Sequence, residues 1–450
     1  MAKTILLADT LEALIAEKKY NTLKDILTTM NPADIAALLE DASEQVIVLL
    51  FRLLPKELAA ETFVEMESDS QEVLIKGFSD RELKEVLDEL FADDVADIIE
   101  EMPSNIVTRI LRQADSQMRR DVNQLLKYPQ DTAGSIMTTE FVSFSSDMTA
   151  EKAIEKIRRE GVDKETINTC YVTDPVNHLE GIVSIRRLIL ARPEEHIRDI
   201  MDENVISAVT TADQSEVAQM FQKYNFLALP IVDAENRIVG IVTFDDAMDV
   251  IEEEATEDIE IMAAITPSDK PYMRTSVFEL WRHRIPWLLL LMISATLTGM
   301  IITHFETALS ACIVLTAYIP MLMDTGGNSG SQASATVIRA LSLGELEFSD
   351  TIAVIWKEIR VAVMCGVTLA ACNFVKLMVL DRIGVAIALT VSVTLAFTVL
   401  VAKVVGCTLP MIAEKVGFDP AVMASPLITT IVDALSLIIY FWFATMLLGI

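Results

Sequence analysis

The pattern of apolar and polar positions changes near residue 280 of the chain. Before this point, apolar residues recur at helix or strand spacing among many charged residues, which is typical of domains that face water. After it, long apolar runs with few charges follow one another, as in helices that cross a bilayer. The pattern therefore predicts water-facing domains followed by a membrane domain.

The first 130 residues contain a repeat of about 24 residues, within the range of helical repeat units. Similar segments begin at Pro32, Pro55, Ser79 and Pro103, where Pro or Ser is suited to a helix start. A second apolar-periodic segment separates successive copies. Stacked helix pairs follow from this pattern, so we predict an all-α superhelical domain over residues 1–130.

Residues 134–250 contain two copies of a unit of about 60 residues. Each copy predicts a short strand, a helix, two β-rich runs around a turn and a closing helix. The matching segments are Ile136-Met137 and Ile200-Met201, Val172-Thr173-Asp174 and Ile231-Val232-Asp233, and Gly181-Ile182-Val183-Ser184 and Gly240-Ile241-Val242-Thr243. A charged helical pattern follows and predicts a connecting helix over residues 249–270.

Apolar run length against a hydrocarbon core of about 30 Å predicts five membrane helices in residues 271–450. The second run leaves a polar continuation to residue 340 open. The runs span residues 286–304, 308–323, 352–380, 383–412 and 424–450. Basic residues flanking the spans favour a cytoplasmic amino terminus and an outside carboxyl terminus. The charged opening segment has no cleavage signature of a secretory signal, which also favours a cytoplasmic front half.

The charge of the chain is concentrated in its front part, because 56 of the 66 acidic residues precede residue 281 together with 27 of the 36 basic ones. This acidity argues against nucleic acid as a partner and favours cations. The five cysteines form no CxxC pair, so neither a disulfide framework nor a zinc motif is indicated.

Asp433 lies inside an otherwise apolar run. An ionised carboxylate in lipid costs about 2.5 kcal/mol or more, so it must face a watery cavity or a partner. Ser425 and Thr429 precede it at helical spacing and extend the same face. We interpret Asp433 and Thr429 as ion ligands in a pore. The alternatives are an interhelical hydrogen bond from a protonated aspartate and, for Ser425 and Thr429, hydrogen bonds back to the helix backbone or packing between membrane helices.

The run Met323-Asp324-Thr325-Gly326-Gly327-Asn328-Ser329-Gly330-Ser331-Gln332 places small and amide side chains and a carboxylate at membrane depth. Glycines allow backbone carbonyls to approach an ion, and non-helical backbone is tolerated there where it lines a cavity. Gly326, Gly327 and Asn328 are therefore candidate pore residues. A hinge or close helix packing is the alternative.

The duplicated unit resembles a tandem CBS pair. Taken as a whole, the chain resembles the MgtE family of magnesium transporters. The resemblance rests on this pair, on the acidic helical front and on two segments, PMLMDTGGNSGSQASA and GFDPAVMASPLITTIVDALSL. The resemblance implies a homodimer around a central pore in which Asp433 is the principal ion-selecting ligand. It also implies a helical domain, two CBS domains, a connecting (plug) helix and a five-helix pore domain, over residues 1–130, 131–198, 199–248, 249–270 and 271–450.

The resemblance further implies regulatory Mg²⁺ between the helical domain, the second CBS unit and the connecting helix. Like charges spaced three and four residues apart repel each other, and a divalent cation would relieve that repulsion. A merely solvated acidic face is the alternative. The candidate acids are Asp93, Asp94, Asp97, Asp213, Glu216, Asp245, Asp246, Asp249, Glu252, Glu253, Glu254, Glu257 and Asp258.

Thr243 and Asp246 fit the T-x-x-D pattern with which CBS units commonly hold a ribose, whereas the first unit has Ser184 and Arg187 without the acid. ATP is therefore expected at the second unit, with a helix N-cap by Thr243 as the alternative.

The expected function is Mg²⁺ import down the membrane potential of a bacterial-type plasma membrane, through a pore that cytosolic Mg²⁺ closes. The chain has no GxxxxGK[ST] motif, and its four histidines are scattered, so neither primary pumping nor an enzyme is expected. An ion-coupled divalent-cation carrier and a CBS-regulated membrane protein of another transport class remain alternatives.

Overall fold

The computed structural model describes residues 13–40, 42–268, 270, 272–273 and 275–449, without the side chains of Ala308 and Ser425. Its contacts divide the chain into two compact units, Met1–Ile251 and Glu252–Ile450. The segment 1–12, which opens the predicted helical domain, lies outside the described residues.

The first unit begins with short helices, which confirms the predicted all-α domain. They run in chain order as α1 (Tyr20–Leu27), α2 (Pro32–Glu40), α3 (Glu44–Phe51), α4 (Lys56–Val64), α5 (Ser68–Gly77), α6 (Asp80–Leu87), α7 (Ala92–Glu101), α8 (Ser104–Gln113) and α9 (Met118–Leu125). At the start of α6, Ser79 and Glu82 form a reciprocal capping box, which satisfies two free backbone donors. Apolar residues facing inward at helical spacing join these helices into one core.

The duplicated unit folds as two three-stranded sheets, as predicted. The first contains β1 (Ser143–Ser145), α10 (Ala150–Glu160), β2 (Thr169–Thr173), β3 (Leu179–Ser184), α11 (Ile185–Leu190) and α12 (Ile197–Ile200). The second contains β4 (Ala208–Val209), α13 (Gln214–Tyr224), β5 (Ala228–Val232) and β6 (Ile238–Thr243). In each sheet the first strand pairs in parallel with the second, which pairs antiparallel with the third.

Each sheet is completed by the segment that precedes the other unit. Thr138, before β1, exchanges backbone hydrogen bonds of 2.8 and 2.9 Å with Ile241 of β6, and Asp202, before β4, exchanges bonds of 2.8 and 3.0 Å with Ile182 of β3. The strand glycines beside these bonds make room for methionine, since a Cβ at Gly240 would lie 2.7 Å from Met137 Sδ. We call these paired contacts the CBS seam.

A helix α14 (Phe244–Met262) follows β6 directly, so the predicted connecting helix begins earlier and ends earlier than the expected 249–270. The second unit then contains α15 (Val277–His304), α16 (Glu306–Ala311), α17 (Ile319–Ser342), α18 (Thr351–Val379), α19 (Val385–Val416) and α20 (Ser425–Leu448). Among the described residues, four helical segments are long and apolar enough to cross a membrane, those of α15, α18, α19 and α20.

The second span begins later than the predicted residue 308, and the polar continuation to residue 340 that the prediction left open is part of the helix. The predicted stretch 308–323 contains most of the short helix α16 and a 3₁₀ turn at Ile313–Tyr318, and the long helix begins at Ile319 and continues through the polar motif to Ser342. Hydropathy placed this span too early because the glycine, serine and amide side chains of α17 lower the apolar average that identifies a membrane span. The five-span count thus remains a prediction.

Two contacts fix α19 in the second unit. Gly406 of α19 meets the backbone carbonyl of Gly330 in α17, so neither helix has room there for a larger residue. One turn earlier, Lys403 is 5% exposed and its Nζ lies 3.5 Å from a carboxylate oxygen of Glu358 in α18. Buried charges of this kind are stable only when paired.

Candidate functional site

A cavity of about 440 Å³ opens between α17 and α20 in the second unit. Asn328 lies on α17, and Thr429 and Asp433 lie one turn apart on α20. The structure therefore brings together the amide, hydroxyl and carboxylate that the sequence singled out. The remaining lining residues are Pro320, Met323, Asp324 and Gly327. The side chain of Ser425, expected on the same face, lies outside the described residues.

The glycine motif is helical throughout, and its glycines have different surroundings. Gly326 is buried, and a Cβ on it would lie 2.7 Å from Thr398 and 2.9 Å from the hydroxyl of Ser436. Gly326 therefore packs between helices and does not line the described cavity. Gly327 does line the cavity. A Cβ on Gly327 would lie only 2.9 Å from the Thr429 side chain, so the glycine leaves space for that threonine.

A second group of acidic side chains lies in the first unit, where α7 meets the CBS pair. We call Asp93, Asp94, Glu140, Glu165 and Asp246 the acidic cluster. Burial, followed by the negative charge of Asp94 and other carboxylates, raises the pKa of Asp93 well above its ordinary value. Burial raises the pKa of Asp94 to about 6, against a lowering hydrogen bond from the Phe91 backbone.

Glu165 shows the same crowding of like charges. Burial, followed by the charges of Asp246 and Asp94, raises its pKa to about 7. The buried Thr138 hydroxyl lies 3.1 Å from an oxygen of Asp93 and 2.8 Å from an oxygen of Glu140, so it bridges two carboxylates and donates to one at a time. These carboxylates act chiefly on one another, and a cation between them would lower the energy of the folded state.

Glu140 and Glu165 were missed by the sequence reasoning. Neither belongs to an acidic run or to a recognisable spacing, and each comes from a connection that follows or precedes a strand of the first CBS unit. One signal was available for Glu140, because it follows the Ile136-Met137 repeat segment that enters the CBS seam. Glu165 becomes visible only when the fold places it near Asp94 and Asp246.

The other candidate acids have varied positions. Desolvation and the charges of Asp94 and Asp246 raise the pKa of Asp97, but its side chain remains exposed, so water screens this shift most. Asp213 caps α13 by accepting a hydrogen bond of 2.9 Å from the Ser215 backbone, and Glu216 lies in the first turn of that helix. Asp245 and Asp249 are exposed on α14.

The acids Glu252, Glu253, Glu254 and Glu257 continue along α14 into the second unit. Asp258 accepts a hydrogen bond of 3.1 Å from Ser342 at the end of α17. Just beyond it, Ile261 and Met262 pack against a small apolar cluster of Ile338, Ala421 and Ala424. The end of the connecting helix is thus attached to the helix that lines the cavity.

No group of three or more His, Cys, Asp or Glu side chains within the described part of the chain converges in a geometry that could hold a metal ion. The acidic cluster is therefore close enough for strong electrostatic coupling but not arranged as a finished coordination shell. Its carboxylates would have to move together to hold a cation. Oxygen-only ligands are the donor type that Mg²⁺ prefers, so the residue chemistry fits the ion.

The residues expected to bind nucleotide have different surroundings in the two CBS units. Thr243 donates through its hydroxyl to Asp246 at 2.5 Å, and Asp246 also accepts from the Thr243 backbone, so the two satisfy each other at the start of α14. The first unit instead has a cavity of about 330 Å³, lined by Ile182, Ser184, Arg186, Arg187, Leu190 and Asp202. Asp202 supplies from the CBS seam the acid that the motif of this unit lacks.

Comparison with known proteins agrees with this architecture. Residues 319–443 match the family described as divalent cation transporter, residues 30–131 match the MgtE intracellular N domain, and residues 133–194 and 197–253 match CBS domains. The magnesium transporter MgtE of Thermus thermophilus is 35% identical over 446 residues, which cover 98% of each chain. The chain belongs to the MgtE family of magnesium transporters.

Other MgtE proteins are also similar to the chain. The magnesium transporter MgtE of Bacillus subtilis is 32% identical over 438 residues, covering 96% of this chain and 95% of the relative. A crystal structure of the cytosolic domain of the Mg²⁺ channel MgtE in complex with ATP is 36% identical, with a TM-score of 0.52, and covers 54% of this chain and 99% of that one. The MgtE resemblance is confirmed, and the family is one of transporters, not enzymes.

Proposed function

We propose that this MgtE-family chain carries Mg²⁺ through the cavity between α17 and α20, with Asp433 as its main ion-attracting group. The observation that carries the proposal is the meeting of Asp433, Asn328 and Thr429 in one cavity of an otherwise apolar helical unit. A carboxylate at membrane depth is costly unless water or a cation compensates it. Transported Mg²⁺ supplies that compensation.

The chemistry of the lining suits an ion that keeps its water. Mg²⁺ gives up its hydration shell reluctantly and is usually bound through few carboxylates. Asp433 would hold the shell by accepting hydrogen bonds from water. The amide oxygen of Asn328 and the hydroxyl oxygen of Thr429 would accept from the same shell, since the Thr429 hydroxyl donates to the Pro426 carbonyl at 2.9 Å. An inward flow needs no other energy source, because two charges crossing 100 mV gain about 4.6 kcal/mol.

A homodimer would complete this pathway. Asp324 and Asn328 line the cavity yet remain exposed in the single chain, so the cavity is open on one side. A second copy related by a two-fold axis would close it with the same polar surface. We place the amino terminus in the cytoplasm. The exposed apolar side chains of α15 would contact lipid or the second copy.

Regulatory Mg²⁺ would be held in the first unit by the acidic cluster together with Asp97, Asp213, Glu216, Asp245 and Asp249. The cation would supply positive charge that draws the carboxylates together. Its loss would restore repulsion among Asp93, Asp94, Glu165 and Asp246 and loosen the first unit. Because α14 begins in the CBS pair and ends against α17, such loosening can be transmitted to the transport cavity.

ATP is proposed at the first CBS unit, where its cavity offers two guanidinium groups for phosphates and Asp202 for ribose hydroxyls. The similar MgtE cytosolic domain with bound ATP supports a nucleotide in this part of the fold. Calorimetry on the full chain in detergent should show ATP binding that Arg187→Ala weakens at least tenfold. Arg192→Ala, an exposed arginine outside the cavity, is the control, and equal binding by both variants would contradict the assignment.

Transport is tested by Mg²⁺ uptake into proteoliposomes at an imposed inside-negative potential. Asp433→Asn should reduce uptake at least tenfold, because it removes the charge and preserves the shape. Thr430→Ala, next to the cavity residue Thr429 but outside the lining, should retain it. Undiminished uptake by folded Asp433→Asn would remove the proposed pathway.

The same assay separates a channel from an ion-coupled carrier. A carrier would lose uptake when a proton or sodium gradient is abolished at constant potential, whereas a channel would respond to the potential alone. For gating, a variant with Asp93, Asp94 and Asp246 changed to Asn should conduct at internal Mg²⁺ concentrations that close the wild type. Unchanged inhibition in this variant would assign the acidic cluster a purely structural role.

A further inference from the structure

The transport cavity contains a second carboxylate that belongs to the polar motif of α17. Pro320, Asp324 and Asn328 are spaced four residues apart on that helix, and all three line the cavity. Asp324 is exposed, so its carboxylate has access to water and to a passing ion. The described lining thus holds two carboxylates and no basic side chain.

Helix packing places the two carboxylates at one level of the cavity. Gly326 faces Val432 and Ser436 of α20, whereas Gly330, one turn later, faces Ile428. The helices therefore run antiparallel, and a residue before Gly326 lies beside the turn that contains Asp433. Asn328 lies one turn away, beside Thr429, as the contact of Gly327 with Thr429 shows.

The cavity is large enough for a hydrated ion between these carboxylates. Six water molecules occupy about 180 Å³ at roughly 30 Å³ each. This is less than half of the cavity volume of about 440 Å³. Two like charges on facing helices of an apolar unit repel each other and are costly together. A divalent cation that keeps its water offsets both charges without requiring direct coordination.

We propose that Asp324 and Asp433 together bind one hydrated Mg²⁺, with Asp324 setting the affinity for the entering ion and Asn328 and Thr429 forming the next polar level. This inference rests on the proposed transport through the cavity and adds a residue to it. In a homodimer, the two copies would place this pair on both sides of the pathway.

The test measures uptake into proteoliposomes over a range of external Mg²⁺ concentrations. Asp324→Asn should raise the half-saturating Mg²⁺ concentration about tenfold while maximal uptake falls less, because the charge that attracts the ion is halved. Asp324→Glu keeps the charge and should remain within about threefold of the wild type. Asp350→Asn, which removes a carboxylate outside the cavity at the start of α18, is the control for net charge.

The outcomes distinguish this inference from the proposed pathway. An unchanged half-saturating concentration in Asp324→Asn, with uptake lost in Asp433→Asn, would overturn the role of Asp324 alone. Full uptake in both variants would remove the pathway itself. If Asp324→Asn fails to give a monodisperse protein, Asp324→Ser and Asp324→Glu decide, since a charge-dependent role requires a weaker affinity in the former and a near-normal one in the latter.

Discussion

Glu165 offers a direct test of the acidic cluster, because replacing it with glutamine removes one charge and little volume. The pKa of Glu165 is raised to about 7 from the ordinary glutamate value of 4.5, first by burial and then by the charges of Asp246 and Asp94. Each pKa unit corresponds to about 1.4 kcal/mol, so the ionised side chain costs the folded state about 3 kcal/mol above pH 7. Partial exposure reduces this, and we expect Glu165→Gln to stabilise by about 2 kcal/mol.

The assay is thermal unfolding of residues 1–266 in Mg²⁺-free buffer at pH 8. Solved structures of isolated MgtE soluble parts support the use of such a fragment. A gain of about 2 kcal/mol corresponds to a rise in melting temperature of about 4–8 °C for a domain of this size. Asp163→Asn, two residues away and exposed, should change it by less than about 1 °C.

Adding millimolar Mg²⁺ extends the test. The wild type should gain more stability than Glu165→Gln, because the variant has lost one carboxylate that favours the cation. A melting temperature of Glu165→Gln that is unchanged or lower without Mg²⁺ would refute the electrostatic reasoning. An equal Mg²⁺ gain in both proteins would separate Glu165 from the cation.

Three further results are expected. In Mg²⁺-free buffer the wild-type fragment should lose stability as pH rises from about 4.5 to about 7. Glu165 and other carboxyl groups with a raised pKa keep their protons in the folded state over this range and lose them in the unfolded state. A stability that rises with pH would contradict this. Gly406→Ala should lower the melting temperature of the full chain in detergent, whereas Gly384→Ala, with open space around it, should not. Lys403→Met should destabilise by about 3–5 kcal/mol by leaving Glu358 unpaired, and adding Glu358→Gln should recover most of the loss; no recovery would contradict the pairing.

Sequence patterns predicted the elements whose signal is local. The Pro and Ser helix starts identified helices of the first domain. The strands of both sheets were predicted because the same pattern occurs twice, so each copy supports the reading of the other. The helix predicted after the first strand of the second copy is observed at Gln214–Tyr224. Asp433 was likewise visible, since a single charge in an apolar run has few explanations.

Features that depend on tertiary packing could not be read in this way. Hydropathy averages over a window, so α17, whose polar face lines a cavity, was displaced toward a neighbouring apolar stretch. Asp202 and Glu165 acquire their surroundings from segments far away in the chain. Thr243 and Asp246 do lie together at the start of α14, but the sequence could not show that their mutual hydrogen bonds occupy the groups that a ribose would need.

The CBS seam makes the two units depend on each other. A single unit would leave its entry segment and its last strand without these backbone partners, so neither sheet is complete on its own. The two halves of the seam nevertheless have different surroundings: Asp202 lines the cavity of the first unit, whereas its counterpart Thr138 bridges two acids of the cluster. A disturbance at either place would therefore reach the sheet of the other unit through the same pair of backbone contacts.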